Sequence, residues 1–534
     1  MTEQLYSYHA FLFPFTWEIN QKINIKKIKE YLKKSGWEYP PFTIENEKDY
    51  NQFIYFYEYA RDAIYNTDKN FKNNQTTYNF EYNICNGKYK IKIKNKENPY
   101  ELNIESISLK IYETGVAILC FNMENKKYAC KEDIKIINDF GRRIYPQFLP
   151  LEKVKESFLS EYIEITGDNL KSKNLKEDFK SYENINFDIS KNQSPVKLPE
   201  FIKKLFGENF STQKEKNKVF VNPIIDDRMF TICWYGNNRL SHRLTQFENK
   251  HNQYTYAQDP FWHEFVFIDG KDATCKSKTM LPELLKKHTY NRWADYGTIY
   301  GITRYSFMLL TTEGKFSEDV LLKHLKTMYH QIAVLTLAQR ASILNFSKRI
   351  TDILNGNYNM PDMSDEISTL HKDYIGFINK MYFNEITAQE QGIEIYDIML
   401  NHMRIKENIK NLNTQIRELH DFVELETKKI SNKKLTFLSI LGAVLLLPTF
   451  ITGFLGMNVF YLDNKKGENF SSVQQIVMFI KEHEGMTALV LGFIIICMFL
   501  YLDFLGSCTK IKRCCKYVRS KTKDICKSLC KKIS

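Results

Sequence analysis

The chain has 534 residues, 43% of them hydrophobic and 26% charged, which excludes a wholly disordered protein. Its mean hydropathy of −0.42 excludes a chain that is mostly membrane, but leaves room for a few spans on a large polar body. The net charge of +12 is concentrated: Ser507–Ser534 holds ten basic residues and one acid, so a DNA-binding body is not expected and direct nucleic-acid binding is not foreseen.

Met1–Asn20 carries Glu3 and no basic stretch, so it does not read as a signal peptide and the body is expected in the cytoplasm. The eleven cysteines form no pair of CxxC motifs at zinc spacing, and the body reads as reduced. Five of them lie in the tail. There they are either small apolar residues of a tail helix or acylation sites.

Strand-like runs at 78–84 and 88–93 flank Asn86-Gly87 and predict a hairpin. Strands are expected at 100–104, 108–112 and 116–121, and a helix at 132–143. The polar stretch 171–194 reads as a loop. Further strands are expected at 218–221, 230–235, 261–268 and 302–310. Together these predict a mixed α/β domain. Within it, Asp226-Asp227-Arg228 leads into an aromatic strand containing Trp234. Acids and an arginine beside an aromatic ring could bind ribose, phosphate and base. The same residues also fit a turn with a local ion pair before a core strand. There is no P-loop, GxGxxG or GxSxG, and His263-Glu264 lacks a second histidine, so the chain is not expected to be an enzyme.

Helices are expected at 317–355, where Asn355-Gly356-Asn357 stops the first, and at 365–383. From Ile395 to Ile430 apolar residues alternate at steps of three and four, with His402 and Glu426 the polar exceptions. No proline or glycine interrupts 393–434. One rod from 393 to 455, about 90 Å long, is the expectation. Such a rod could carry movement into a bilayer, or serve as a passive spacer.

Leu435–Leu455 is uncharged over a length of about 31 Å, and Met486–Leu505 is apolar except for Asp503. Both read as membrane spans. Lysines precede the first, the basic tail follows the second, and the 459–485 loop is slightly acidic. Both termini are therefore expected inside, with the tail against anionic lipids. The divisions are 1–316 (cytoplasmic α/β sensor), 317–434 (helical stalk), 435–455 (first span), 456–485 (outer loop), 486–505 (second span) and 506–534 (tail).

Directly after Leu455 stands Gly456-Met457-Asn458. This tripeptide, after Pro448-Thr449-Phe450-Ile451-Thr452-Gly453-Phe454 and between two C-terminal spans, resembles the CorA superfamily of divalent-metal channels. The resemblance implies an α+β membrane protein of the inner (plasma) membrane, a funnel-shaped homopentamer whose first spans line the pore. Magnesium or another divalent cation would be the permeant ion, held through its hydration shell by a ring of Asn458 carboxamides. Alignment to the motif implies pore positions at Thr449 and Gly453, and gate positions at Asn432, Leu435, Leu438 and Leu446. The leucines fit lipid or interhelix packing equally well. The long outer loop with Lys465 and Lys466 departs from the short acidic loop of the family.

The opening Tyr8-His9-Ala10-Phe11-Leu12-Phe13-Pro14-Phe15-Thr16-Trp17, the Asp-Asp-Arg-Met-Phe block and the enlarged body resemble CorA-like proteins associated with type III CRISPR systems. That resemblance implies an antiviral membrane effector opened by a nucleotide second messenger, adenylylated S-adenosylmethionine. A constitutive magnesium or cobalt transporter regulated by its own ion, and a non-conducting membrane scaffold, are the competing readings.

Overall fold

The computed structural model describes residues 4–19, 25–67, 75–94, 96–145, 159–172, 175–180, 198–270, 273–356 and 360–456. Its contacts divide the chain into two units, Met1–Lys428 and Lys429–Ser534.

The first unit is built on a large mixed sheet whose central strand is Ser7–Ile19. Nine of the thirteen residues of that strand are apolar, as a strand covered on both faces requires. Val116–Asn125 pairs antiparallel along one side. Along the other side two strands follow one another: Phe230–Gly236 pairs with the first half and Val219–Pro223 with the second. Pro14, which has no N–H to donate, falls where the neighbour changes, between the Leu12↔Phe230 and Phe15↔Pro223 pairs. Phe230–Gly236 in turn pairs in parallel with Ser306–Thr311.

Alternation along the central strand separates two cores. Tyr8, Ala10 and Leu12 face a cluster that contains Ile332, Ala333 and Leu337 of the helix His330–Asn355. Phe11, Phe13 and Phe15 face a second cluster with Ile137 of the helix Lys131–Gly141 and Phe201 and Phe206 of the helix Glu200–Phe206. The α/β character and the 132–143 helix expected from sequence are present.

Three local expectations are corrected. The strands Thr77–Tyr82 and Cys85–Lys92 do not form a hairpin. They lie end to end along the single long strand Tyr100–Tyr112, each antiparallel to it. Asn86 is left-handed (φ 50°), and the pairing of Cys85–Lys92 with Tyr162–Asp168 shifts register between Cys85 and Lys88. Asn-Gly therefore makes a bulge here. A Cβ on Gly87 would lie 2.9 Å from Ile104 Cβ, so the close approach keeps the glycine.

The apolar run 261–268, expected as a strand, is the helix Pro260–Phe267. The Asp259 carboxylate accepts from Trp262 N–H, Pro260 opens the first turn, and Ile268 ends it with φ 55°. A short apolar run has no periodicity that separates strand from buried helix.

The expected rod 393–455 is two helices, Glu390–His402 and Ile405–Gly456, broken at a left-handed Arg404 (φ 55°). The break is held by a tertiary contact: Arg304 Nε donates to His402 C=O at 2.9 Å. His402 stacks on His288, with ring centroids 4.0 Å apart. Before it, 317–329 forms wide π turns leading into His330–Asn355, and the next helix is Met360–Lys380, with Pro361 in its first turn. The seam residues Ile409, Leu412, Ile416, Leu419 and Val423 are buried in the same cluster as Leu370, Tyr374 and Phe377. That cluster also holds Tyr8 and Trp234 of the sheet, so a boundary at 316/317 cuts one continuous core.

In the second unit the long helix continues to Gly456. Among the described residues no helix is long and apolar enough to cross a membrane. The side chains at 444, 447, 448 and 450–456 lie outside the described residues, as do Met457, Asn458, the outer loop, the 486–505 run and the tail.

Candidate functional site

The 405–456 helix carries the expected pore positions. At about 100° per residue, positions 432, 435, 438, 446, 449 and 453 fall within an arc of roughly 120°. Leu435, Leu438 and Leu446 are exposed, the last at 68%. Asn432 is exposed, and its carbonyl accepts the Thr436 hydroxyl at 2.8 Å. Thr449 Oγ1 donates to Leu445 C=O at 2.7 Å.

The Asp226-Asp227-Arg228 segment sits on the sheet at the change of neighbour beside Pro14. Arg228 Nη2 and Nε donate to Asp226 Oδ2 at 2.6 and 3.1 Å, and Asp227 Oδ1 lies 3.5 Å from Nε. Its backbone is tied to the end of the 131–141 helix: Ile144 N–H donates to Asp227 C=O, and Met229 N–H to Arg142 C=O. Burial and the neighbouring Asp226 push the Asp227 carboxyl up to about 7. Burial also opposes ionisation of Asp226, but hydrogen bonds from Asp227 and Arg228 outweigh it and hold that group below its usual range. Arg142 is buried, donates to Ile268 C=O at 3.1 Å, and is lowered to about 9 chiefly by burial. The cluster is largely self-neutralising, as the turn-and-ion-pair reading anticipates.

Arg228 has a second neighbour that the sequence did not signal. Its guanidinium carbon lies 5.6 Å from the centre of the Tyr305 ring, and that of Arg340 lies 5.1 Å from the same ring. Tyr305, Arg228 and Arg340 are all partly exposed. A ring flanked by guanidinium groups can stack on a base while the charges meet phosphate. Arg340 stands mid-helix among apolar residues, the one sequence cue available. Trp234 is not part of this group. It is 1% exposed, points into the sheet–helix core, and lies so close to Gly236 that a Cβ there would be 2.8 Å from the indole.

The opening motif has a structural account. Asn125 Nδ2 donates to Ser7 Oγ at 2.8 Å, Ser7 Oγ meets His9 Nε2 at 2.8 Å, and His9 Nδ1 meets Asn138 Oδ1 at 2.7 Å. With His9 neutral and protonated on Nδ1 each of these three bonds has one donor and one acceptor, while Asn138 Nδ2 has no hydrogen-bond partner among the described residues. All of it is enclosed, so it joins the central strand to the 131–141 helix. Burial lowers His9 to about 4 and His330 to about 3. The unfolded chain takes up these protons near 6.5, so the folded state binds fewer protons below that pH. The contribution of these two histidines should be full above about pH 6.5 and be lost steadily toward pH 4, by about 3 kcal/mol for His9 alone, while the raised Asp227 carboxyl acts in the opposite sense and adds stability as pH falls through about 7. Thermal unfolding of the full chain across that window measures it, and H9Q should flatten the slope.

Three comparisons place these features. No curated protein matches the chain. Among solved structures, the complete CorA magnesium transporter of Methanocaldococcus jannaschii aligns at 12% identity over 54% of this chain and 95% of that one, with a TM-score of 0.21, too low to carry a fold argument. The informative match is to a family model: residues 319–502, which include the four helices from 330 to 456, are similar to the family described as CorA-like Mg2+ transporter protein.

Proposed function

We propose that the chain is a CorA-like divalent-cation channel of the cell inner membrane, assembled as a funnel-shaped homopentamer and opened by a ligand on its cytoplasmic body. The observation that carries this is the family match over 319–502, which contains the first apolar run, the Gly456-Met457-Asn458 tripeptide and most of the second run. In this reading 435–455 and 486–505 cross the bilayer and both termini are cytoplasmic. The 432–453 face of the long helix lines the pore, and Asn458 holds a hydrated divalent ion at its outer end. A carboxamide ring suits magnesium because that ion gives up its waters reluctantly. The basic tail lies against anionic headgroups.

The activating ligand in this reading is a nucleotide second messenger, adenylylated S-adenosylmethionine, and the protein is a membrane effector of type III CRISPR defence. Arg228, with Asp226 and Asp227, offers charge for phosphate and acceptors for ribose. Tyr305 supplies the stacking ring that Trp234, enclosed in the core, does not. Tyr305 lies against Arg340 of the 330–355 helix, in the helical layer that precedes the 405–456 helix, so occupancy there has a physical route to the pore.

The test is divalent-cation flux into liposomes holding the purified full chain, with and without the nucleotide. Flux that requires the nucleotide is the expected result. Equal flux without it leaves a constitutive magnesium or cobalt transporter. No flux in either case favours a non-conducting scaffold.

A further inference from the structure

Two helices of the first unit bring metal-ligating side chains together away from the pore and the Asp-Asp-Arg cluster. His420, Asp421 and Glu424 lie on the long helix, and one ligand atom from each falls within 4.8 Å of the others. His371, on the helix Met360–Lys380, faces His420 with ring centroids 5.1 Å apart and planes inclined at 54°. This is not a stacked pair. The stacked histidines of this molecule, His288 and His402, sit at 4.0 Å and 19°. In a tetrahedral zinc site each ring centroid lies about 3.2 Å from the ion, so two imidazoles sharing one ion have centroids about 5 Å apart. The observed centroid spacing is that of such a pair, and a turn of the His371 ring would bring its nitrogen to the group that His420, Asp421 and Glu424 already form.

We propose that His371 and His420, with the carboxylate of Glu424 and Asp421 beside it, bind one borderline divalent metal ion such as Zn2+ and clasp the 360–380 helix to the 405–456 helix. Imidazole donors select such ions over magnesium, which takes oxygen ligands in octahedral geometry. His420 and Glu424 are four residues apart and share a helix face, while His371 supplies the ligand from the second helix. Leu370 and Leu419, next to the two histidines in sequence, are buried in the common core and fix the spacing of the helices. The competing partner is Lys428, 2.6 Å from Glu424. Both groups of that pair are well exposed, and such a pair is weak and yields to a metal. The site does not depend on the channel reading, because metal binding is measured without any flux.

Calorimetric titration of the full-length chain in detergent with Zn2+, in excess Mg2+, tests it, together with the visible absorption of bound Co2+. One Zn2+ per chain and tetrahedral Co2+ bands are expected. H420A and H371A should each weaken binding on the order of 100-fold, whereas H251A, at an exposed histidine elsewhere, should change nothing. Binding that survives both H420A and H371A overturns the proposal. So does loss in H420A alone, because the second helix then contributes no ligand, and so does displacement by magnesium.

Discussion

Divalent-cation flux through liposomes carrying N458A is expected to fall about 100-fold below that of the natural chain. The carboxamide would act on the hydration shell rather than on the bare ion, through hydrogen bonds worth about 1 kcal/mol each. Several are lost at once when every subunit changes, and a barrier increase of about 3 kcal/mol corresponds to that factor. The alanine adds no charge and removes no packed core residue among those described, so assembly and yield should be unchanged. N458Q, which keeps the amide on a longer arm, should retain part of the flux. Undiminished flux in N458A would remove the Gly-Met-Asn tripeptide from the conduction path and leave the family match without a functional counterpart in this chain.

The second large effect is on stability. W234A should destabilise the first unit by about 3–5 kcal/mol, as expected when a large buried ring is truncated and the site cannot collapse. Trp234 lies where the sheet meets the 330–355 helix, and its ring is bounded by the backbone at Gly236. W234F should cost much less, because most of the ring volume remains and the indole Nε1 makes no hydrogen bond among the described residues. Denaturant unfolding of the purified variants measures both. Nucleotide binding offers a contrast. If Trp234 acts only as core, W234F keeps the natural affinity, and substitutions at Arg228 or Tyr305 lose it. Loss of affinity in W234F with stability intact would put the indole back in the site.

The long helices were legible in the sequence because a repeat of three and four residues leaves few alternatives, and the seam from Ile409 to Val423 is buried as the repeat requires. The break at Arg404 was not legible. No glycine or proline marks it, and the residue that takes up its freed carbonyl, Arg304, lies some hundred residues away. The same limit explains the Asn86-Gly87 bulge. Two residues encode a left-handed kink, but whether the flanking strands turn back or run on depends on Tyr100–Tyr112, long enough to pair with both. Helix 260–267 shows no helical period because it is buried on nearly all sides, although Asp259-Pro260 is a usable capping signal. In the candidate site, adjacent residues were found and distant ones were not. Asp226, Asp227 and Arg228 are together because they are neighbours in sequence. Tyr305 and Arg340 arrive through sheet and helix packing, and Trp234 departs because strand alternation turns it into the core.

The central strand has a consequence for synthesis. Residues 7–19 find their partners at 116–125, 219–236 and finally in the helix 330–355. At ribosomal speed, roughly 5–20 residues per second, that strand waits about 20–60 s before both of its faces are covered. The last layer of its core, through Val423, is made only moments before the apolar segment from Leu435 begins to leave the ribosome. In the proposed channel, completing the body and delivering the chain to the bilayer therefore fall in the same few seconds, and chaperones that guard the long-uncovered first strand must hand the chain on to the insertion machinery almost as soon as its core closes.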